Sequence, residues 1–110
     1  MNIGIVGVGY VGKALKAGFE DCFDIITYDK NPELSSSNSI QELARKCQFI
    51  FVCVPTPMMK DGSCDISIVQ EVVGEINDLK YEDRIVVIKS TVLPGTSDNL
   101  SAKFTNINIV

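Results

Sequence analysis

Histidine and tryptophan are absent from this 110-residue sequence. Without imidazole there is no histidine base for a nucleophilic triad and no nitrogen ligand for a transition metal. The four cysteines, Cys22, Cys47, Cys53 and Cys64, show no C-x-x-C spacing, so zinc has no donor set and no metal is expected. Cys53 lies in the apolar run Phe49 to Val54 and reads as a small buried hydrophobe, whereas Cys64 reads as the exposed one, in a loop with no base nearby. Positive charge is scarce too. Ten Lys and Arg face 14 Asp and Glu, a net charge of -4, and nowhere do they cluster as nucleic-acid binding requires. No apolar run approaches the roughly 18 residues that span a bilayer, and the apolar N-terminus lacks the basic flank of a signal peptide. These absences predict a cytoplasmic protein with neither nucleic-acid nor membrane partners, in which any phosphate is held mainly by backbone amides.

What is present begins at residue 3. The apolar run Ile3 to Val6 leads directly into Gly7-Val8-Gly9-Tyr10-Val11-Gly12, a G-x-G-x-x-G pattern between a strand and a helix. In a dinucleotide-binding fold Gly7 permits the tight turn, Gly9 lets the backbone approach a pyrophosphate, and Gly12 lets the helix lie close to its strand. The anion then sits on free N–H groups at the helix N-terminus.

Apolar runs alternate with helical patterns along the rest of the chain. Asn2 to Val6, Asp24 to Tyr28, Phe49 to Val54, Arg84 to Lys89 and Ile107 to Val110 read as strands. Helices are expected over Tyr10 to Glu20, with Val11, Ala14, Leu15 and Phe19 toward the sheet, over Ser39 to Cys47, and from Pro94 or Gly95 to Lys103. The clearest helix is Ile66 to Leu79, where Ile66, Val69, Val72, Val73, Ile76 and Leu79 repeat at helical spacing behind Asp65 as candidate N-cap. The serine-rich stretch from Lys30 to Asn38 reads as a loop with a rudimentary edge strand near Leu34 to Ser36. The alternation predicts one α/β domain of Rossmann type: a doubly wound, mainly parallel sheet of five or six strands.

Three segments fall where such a sheet binds ligands. The second strand ends in Tyr28-Asp29, about twenty residues past the glycine turn, where a carboxylate accepts from an adenosine ribose and repels the extra phosphate of NADP. Lys30 beside it softens that repulsion, and the alternative is that Asp29 only caps a surface strand. Val54-Pro55-Thr56-Pro57 ends the third strand with rigid prolines that hold Thr56 toward a cofactor, or simply make a stiff loop. Ser90 and Thr91 place hydroxyls at the same rim, suited to orienting an amide, a substrate oxygen or a water, or merely to capping the following helix.

Together these motifs resemble the N-terminal NAD-binding domain of the UDP-glucose/GDP-mannose dehydrogenase family. The residues that carry the resemblance are Gly7 to Gly12, Val54-Pro55-Thr56-Pro57, Asp61-Gly62 with Asp65-Ile66-Ser67, and Lys89-Ser90-Thr91-Val92-Leu93-Pro94-Gly95-Thr96. The resemblance implies NAD as cofactor, bound by Gly7, Gly9, Tyr10, Val11, Gly12, Asp29, Lys30, Val54, Pro55, Thr56, Ser90 and Thr91, with Thr91 in a supporting catalytic role near the nicotinamide. It implies oxidation of the C6 alcohol of a nucleotide sugar such as UDP-glucose to a carboxylate. The family's catalytic cysteine lies in a G-G-x-C-F-type segment of a C-terminal domain, and none of the four cysteines here has those neighbours. The expectation is therefore a cofactor domain spanning residues 1–110, without the family's central helix and sugar-binding domain, inactive unless a second domain or chain completes it. The alternative is a stand-alone nucleotide-binding or regulatory module. Only Lys30 to Gln48 separate Asp29 from the third strand, against several tens of residues in the family, so the crossover after the second strand is shortened. An apolar C-terminal edge of Ile107, Ile109 and Val110 predicts a homodimer or a partner chain there.

Overall fold

The short Ile-, Val- and Phe-rich runs pair side by side because each is followed by a helix long enough to carry the chain back across the sheet. The structure, a computed structural model, describes residues 1–81, 83–90 and 95–110. Strands β1 (Asn2–Val6), β2 (Asp24–Tyr28), β3 (Phe49–Val52), β4 (Ile85–Ile88) and β5 (Asn108–Ile109) form an all-parallel sheet in the order β2-β1-β3-β4-β5. The crossovers are helices α1 (Tyr10–Phe19), α2 (Ile40–Lys46), α3 (Ser67–Asp78) and α4 (Thr96–Lys103). The winding runs one way from β1 to β2 and the other way from β2 onward. It leaves a crevice outside the carboxyl ends of β1 and β3, where such sheets bind ligands.

One face of the sheet is thickly covered. Leu43 of α2, Val69, Val73 and Ile76 of α3 and Leu100 of α4 join Ile50, Val52 and Val86 of the strands in one buried cluster. Gly4 lets α2 pass close over β1, since a Cβ there would run into Leu43. The periodicity of α3 places its core residues as the sequence predicts, with Ile66 and Leu79 half-buried at its two ends. Asp65 is not the N-cap. Ile66 occupies that position, and the Asp65 carboxylate instead accepts from the Ser67 N–H at 2.9 Å. On α2 the Ser39 hydroxyl does cap, accepting from the Glu42 N–H, while Glu42 accepts from the Asn38 N–H, which holds its carboxyl below the usual range. At the other end of α2 the Arg84 guanidinium donates to the carbonyls of Ala44 and Arg45, at 2.7 and 3.0 Å.

Among the described residues, α1 is the one helix on the opposite face. Ile3 and Ile5 lie buried outside the main cluster, and Phe19 of α1 meets Phe51 with ring centroids 5.7 Å apart. Val11 and Ala14 are exposed rather than packed on the sheet, and Leu15 is half-buried. The helix sits over β1 at its glycines, so Gly12 is its buried residue and the larger apolar side chains beside it reach open surface.

Beyond β2 no edge strand forms at Leu34 to Ser36. A 3-10 turn over Pro32–Leu34 brings three serines against β2, and their hydroxyls bond its outward backbone groups. Cysteine burial also departs from expectation. Cys53 is half-buried, Cys64 is half-buried in a small hairpin where it bridges Met58, and Cys22 is the exposed thiol. Residues 58–64 close that hairpin through a Met59 N–H bond to the Ser63 carbonyl. The final helix starts at Thr96 behind Gly95, and Pro94 lies outside the described residues.

Candidate functional site

The crevice is built on the glycine turn. Gly7 leaves β1 with φ +92°, its N–H bonds the Tyr28 carbonyl at 2.8 Å, and a Cβ there would lie 2.9 Å from the Cys53 backbone. A left-handed turn pressed against another strand admits glycine alone. At Gly12 a Cβ would overlap the Gly7 carbonyl oxygen, so the close seat of the helix on its strand depends on that glycine. Gly9 differs from both, because a Cβ on it would meet nothing within 4 Å. The space in front of Gly9 is thus not taken up by the protein's own packing.

Gly9 is the N-cap of α1 and offers no side-chain cap, and no acidic residue stands in the first turn. The first helical bond runs from the Lys13 N–H to the Gly9 carbonyl, so the N–H groups of Tyr10, Val11 and Gly12 have no intrahelical acceptor. They point outward at the positive end of the helix dipole, an arrangement that suits an anion. Tyr10 is 94% exposed and leaves this end open.

Asp29 braces the turn from the end of β2. Its Oδ2 accepts from the Val8 N–H at 2.7 Å and its Oδ1 from the Asn31 N–H at 2.9 Å. Its role therefore goes beyond capping a surface strand. An ionised carboxylate has about four acceptor positions, so roughly two remain for a diol. Beside Asp29 and Lys30 opens a cleft of about 250 Å³. Val6, Gly7, Tyr28, Ile40, Val54 and Pro55 line it. From α3 come Ile68, Glu71, Val72 and Glu75, which the sequence reading did not place in a site because the apolar stripe of α3 was explained by the core. The available signal was Glu71 and Glu75 one turn apart, flanking that stripe.

At the rim, Ser90 ties two strand exits together. Its hydroxyl donates to the Val54 carbonyl at 2.7 Å, and the N–H groups of Lys89 and Ser90 both reach the Val52 carbonyl. It braces the Val54-Pro55 segment, while the N-cap of α4 is Gly95. Thr56 is half-buried in that segment, and Thr91 lies outside the described residues. Burial pushes the thiols of Cys47 and Cys53 up to about 11, so both are protonated at neutral pH and neither is a ready nucleophile. Among the described residues no group of three or more acidic or thiol side chains is placed to hold a metal, and no helix is long and apolar enough to cross a membrane.

A dinucleotide fits this donor set: bare N–H groups for phosphate, space at Gly9, a carboxylate for ribose and an apolar cleft for a ring. Residues 20–108 match the profile of the UDP-glucose/GDP-mannose dehydrogenase family, NAD binding domain, a match that includes Asp29 and the rim and begins beyond the glycine turn. The chain is 30% identical over 128 residues to YtcA of Bacillus subtilis, provisionally named a UDP-glucose 6-dehydrogenase, covering 92% of this chain and 30% of that one. It is 29% identical to the GDP-mannose 6-dehydrogenase of Pseudomonas aeruginosa, over 91% of this chain and 30% of that protein. The chain thus spans about 30% of the length of these relatives. Both alignments are longer than the 110-residue chain, so they run through stretches that the relatives have and it lacks. The crystal structure of a ternary complex of GDP-mannose dehydrogenase from Pseudomonas aeruginosa superposes with a TM-score of 0.84 at 22% identity, over 99% of this chain and 35% of that one, and shares its fold.

Proposed function

The chain belongs to the UDP-glucose/GDP-mannose dehydrogenase family as an NAD-binding domain, and from that premise we propose that it binds NAD and is the cofactor-holding part of a nucleotide-sugar 6-dehydrogenase. The observation that carries the reading is the open α1 N-terminus, with space in front of Gly9 and Asp29 fixed beside it. The N–H groups of Tyr10, Val11 and Gly12 hold the pyrophosphate, and Asp29 holds the adenosine ribose and disfavours the extra phosphate of NADP. Lys30 flanks the ribose. Val54 and Pro55 line the cleft beside Asp29, and the family resemblance implies that Thr56, Ser90 and Thr91 serve the nicotinamide, with Thr91 positioning a reacting oxygen or water.

Bound NAD supplies the hydride acceptor for an alcohol. This chain's residues bind and orient it, but the sequence offers no histidine base for the sugar, and burial keeps the thiols of Cys47 and Cys53 protonated at neutral pH. Turnover on UDP-glucose or a similar nucleotide sugar therefore needs a complementary domain or chain, which meets this one at the β5 edge or arrives as a second copy. The protonated thiols also favour a second reading, a nucleotide-binding module without dehydrogenase activity.

Isothermal titration with NAD, ADP-ribose and UDP-glucose, alongside NADH absorbance, tests both. The expected result is binding of NAD and ADP-ribose, at least ten-fold weaker binding by Asp29→Ala, and no sustained NADH formation from UDP-glucose by the chain alone. Absence of NAD binding at millimolar concentration overturns the reading. Turnover that appears only on adding a polypeptide with the missing sugar-binding groups favours the dehydrogenase over the bare module.

A further inference from the structure

At the end of β2 the Tyr28 carbonyl turns inward to the Gly7 N–H, and the N–H and carbonyl of Asp29 turn to the outer edge of the sheet. One hydroxyl meets both outward groups. Ser35 Oγ accepts from the Asp29 N–H at 2.7 Å and donates to the Asp29 carbonyl at 2.8 Å. The residues between them fold to make this closure: Asn31 Oδ1 accepts from the Glu33 N–H, the Asn31 carbonyl from the Leu34 N–H, and the Pro32 carbonyl from the Ser35 N–H. The Asp29 carboxylate meanwhile accepts from the Val8 N–H at 2.7 Å and the Asn31 N–H at 2.9 Å. Ser36 and Ser37 instead bond Thr27, two residues earlier on β2. A single side chain, that of Ser35, thus grips the backbone that carries the carboxylate.

We propose that Ser35 is a positioning residue for cofactor binding: by holding both backbone groups of Asp29 it aims the carboxylate at the adenosine diol. This rests on reading Asp29 as the ribose partner of NAD. A binding group must be held within about 0.5 Å of its productive place by the shell behind it, and a side chain at a strand end is only as fixed as the backbone beneath it. Without the hydroxyl, the N–H and carbonyl of Asp29 turn to water and the end of β2 loosens. The glycine turn keeps its own bond from Gly7 to Tyr28 and its close seat at Gly12. The loss therefore falls on recognition of the diol and spares recognition of the phosphates.

The test compares NAD with nicotinamide 2′,3′-dideoxyadenosine dinucleotide, which lacks both hydroxyls of that ribose, by titration calorimetry on the full chain. The unmodified chain is expected to prefer NAD at least about ten-fold. In Ser35→Ala and Ser35→Val, NAD binds about five-fold more weakly while the dideoxy analogue changes less than about two-fold. Ser35→Thr, which has the shape of Val and keeps the hydroxyl, restores the preference; both suit the extended backbone there. Ser36→Ala, which removes an edge bond at Thr27, leaves the preference intact. In an Asp29→Ala background, Ser35→Val has no further effect on NAD binding. Circular dichroism and melting temperature check that each variant folds, and the Val variant serves if the Ala variant does not. Equal weakening of both ligands by Ser35→Val, or an equal loss with and without Asp29, overturns the inference and leaves the NAD reading standing. Equal binding of the two ligands by the unmodified chain overturns the ribose role of Asp29 and the inference with it, and failure to bind either overturns the NAD reading.

Discussion

Gly9 and Gly12 stand three residues apart and differ in what a methyl group would meet: open space at the first, the Gly7 carbonyl oxygen at the second. Gly12→Ala therefore forces backbone apart and is expected to destabilise the fold by about 1–3 kcal/mol. Gly9→Ala costs at most about 1 kcal/mol through the poorer N-cap, yet is expected to weaken NAD binding at least ten-fold by filling the approach to the phosphate. Urea denaturation and calorimetry on the same two variants separate these outcomes. Equal losses of affinity with intact stability in both would remove the distinction. Cys47 carries a prediction in pH. Its side chain is fully buried and burial lifts its thiol from 9.0 to about 11, whereas in the unfolded chain it ionises near the ordinary value. Because the folded form has the higher pKa, its contribution is complete below about pH 9 and is lost as pH rises toward 11, at up to about 1.4 kcal/mol per pH unit. The fall in urea midpoint over that window should be steeper in the native sequence than in Cys47→Ala.

At the level of elements, the β2 edge is protected without a further strand. The Ser36 hydroxyl accepts from the Thr27 N–H at 2.9 Å, and the Ser35 hydroxyl accepts from the Asp29 N–H at 2.7 Å while donating to the Asp29 carbonyl. The Thr27 carbonyl in turn accepts from the Ser37 hydroxyl and from the N–H groups of Ser36 and Ser37. Each hydroxyl is expected to contribute about 1 kcal/mol, and covering the outward groups removes a template for aggregation. Ser36→Ala should speed amide exchange at Thr27, and Ser35→Ala at Asp29; unchanged exchange at both would mean that solvent, not serine, satisfies the edge. The serine triplet shows where sequence reading runs out. Short apolar runs and the 3.6-residue stripe of α3 marked their elements, because Ile50 and Val52 of the strands and Val73 and Ile76 of the helix are buried in the one core. A hydroxyl bonding an edge carbonyl has no period, so Leu34 to Ser36 reads as a weak strand when it is a side-chain substitute for one. The α1 face failed for a related reason: Val11 and Ala14 fit the apolar stripe, but contact at Gly12 turns the helix so that they point outward. In the candidate cleft, the turn and Asp29 were legible as candidates because glycines and a carboxylate at fixed offsets have few other uses, whereas Glu71 and Glu75 join its lining only through the tertiary fold.

Across the whole molecule the two faces of the sheet are unequal, and so are its two edges. The β2 edge is covered by serines, while β5 is two residues long and pairs on its inner side through Asn108 and Val110, which bond the Arg84 and Val86 carbonyls. The N–H of Ile109 then points away from β4. Val110 is 66% exposed beside it. An edge with free backbone groups and apolar side chains invites another strand, and we expect the chain to associate there in a concentration-dependent way that light scattering would detect. Proline at position 109 removes the outward donor without touching the bonds to β4, since proline is tolerated on an edge whose N–H faces solvent. Ile109→Pro should therefore give a folded monomer. The competing contact is the α1 face, where Phe49, Phe51, Ile85 and Val87 are half-buried under a single helix and Val11 is 44% exposed. If association survives Ile109→Pro but is lost in Val11→Lys, the contact lies on that face and not at the edge. A strict monomer at high concentration in the unmodified chain would exclude both.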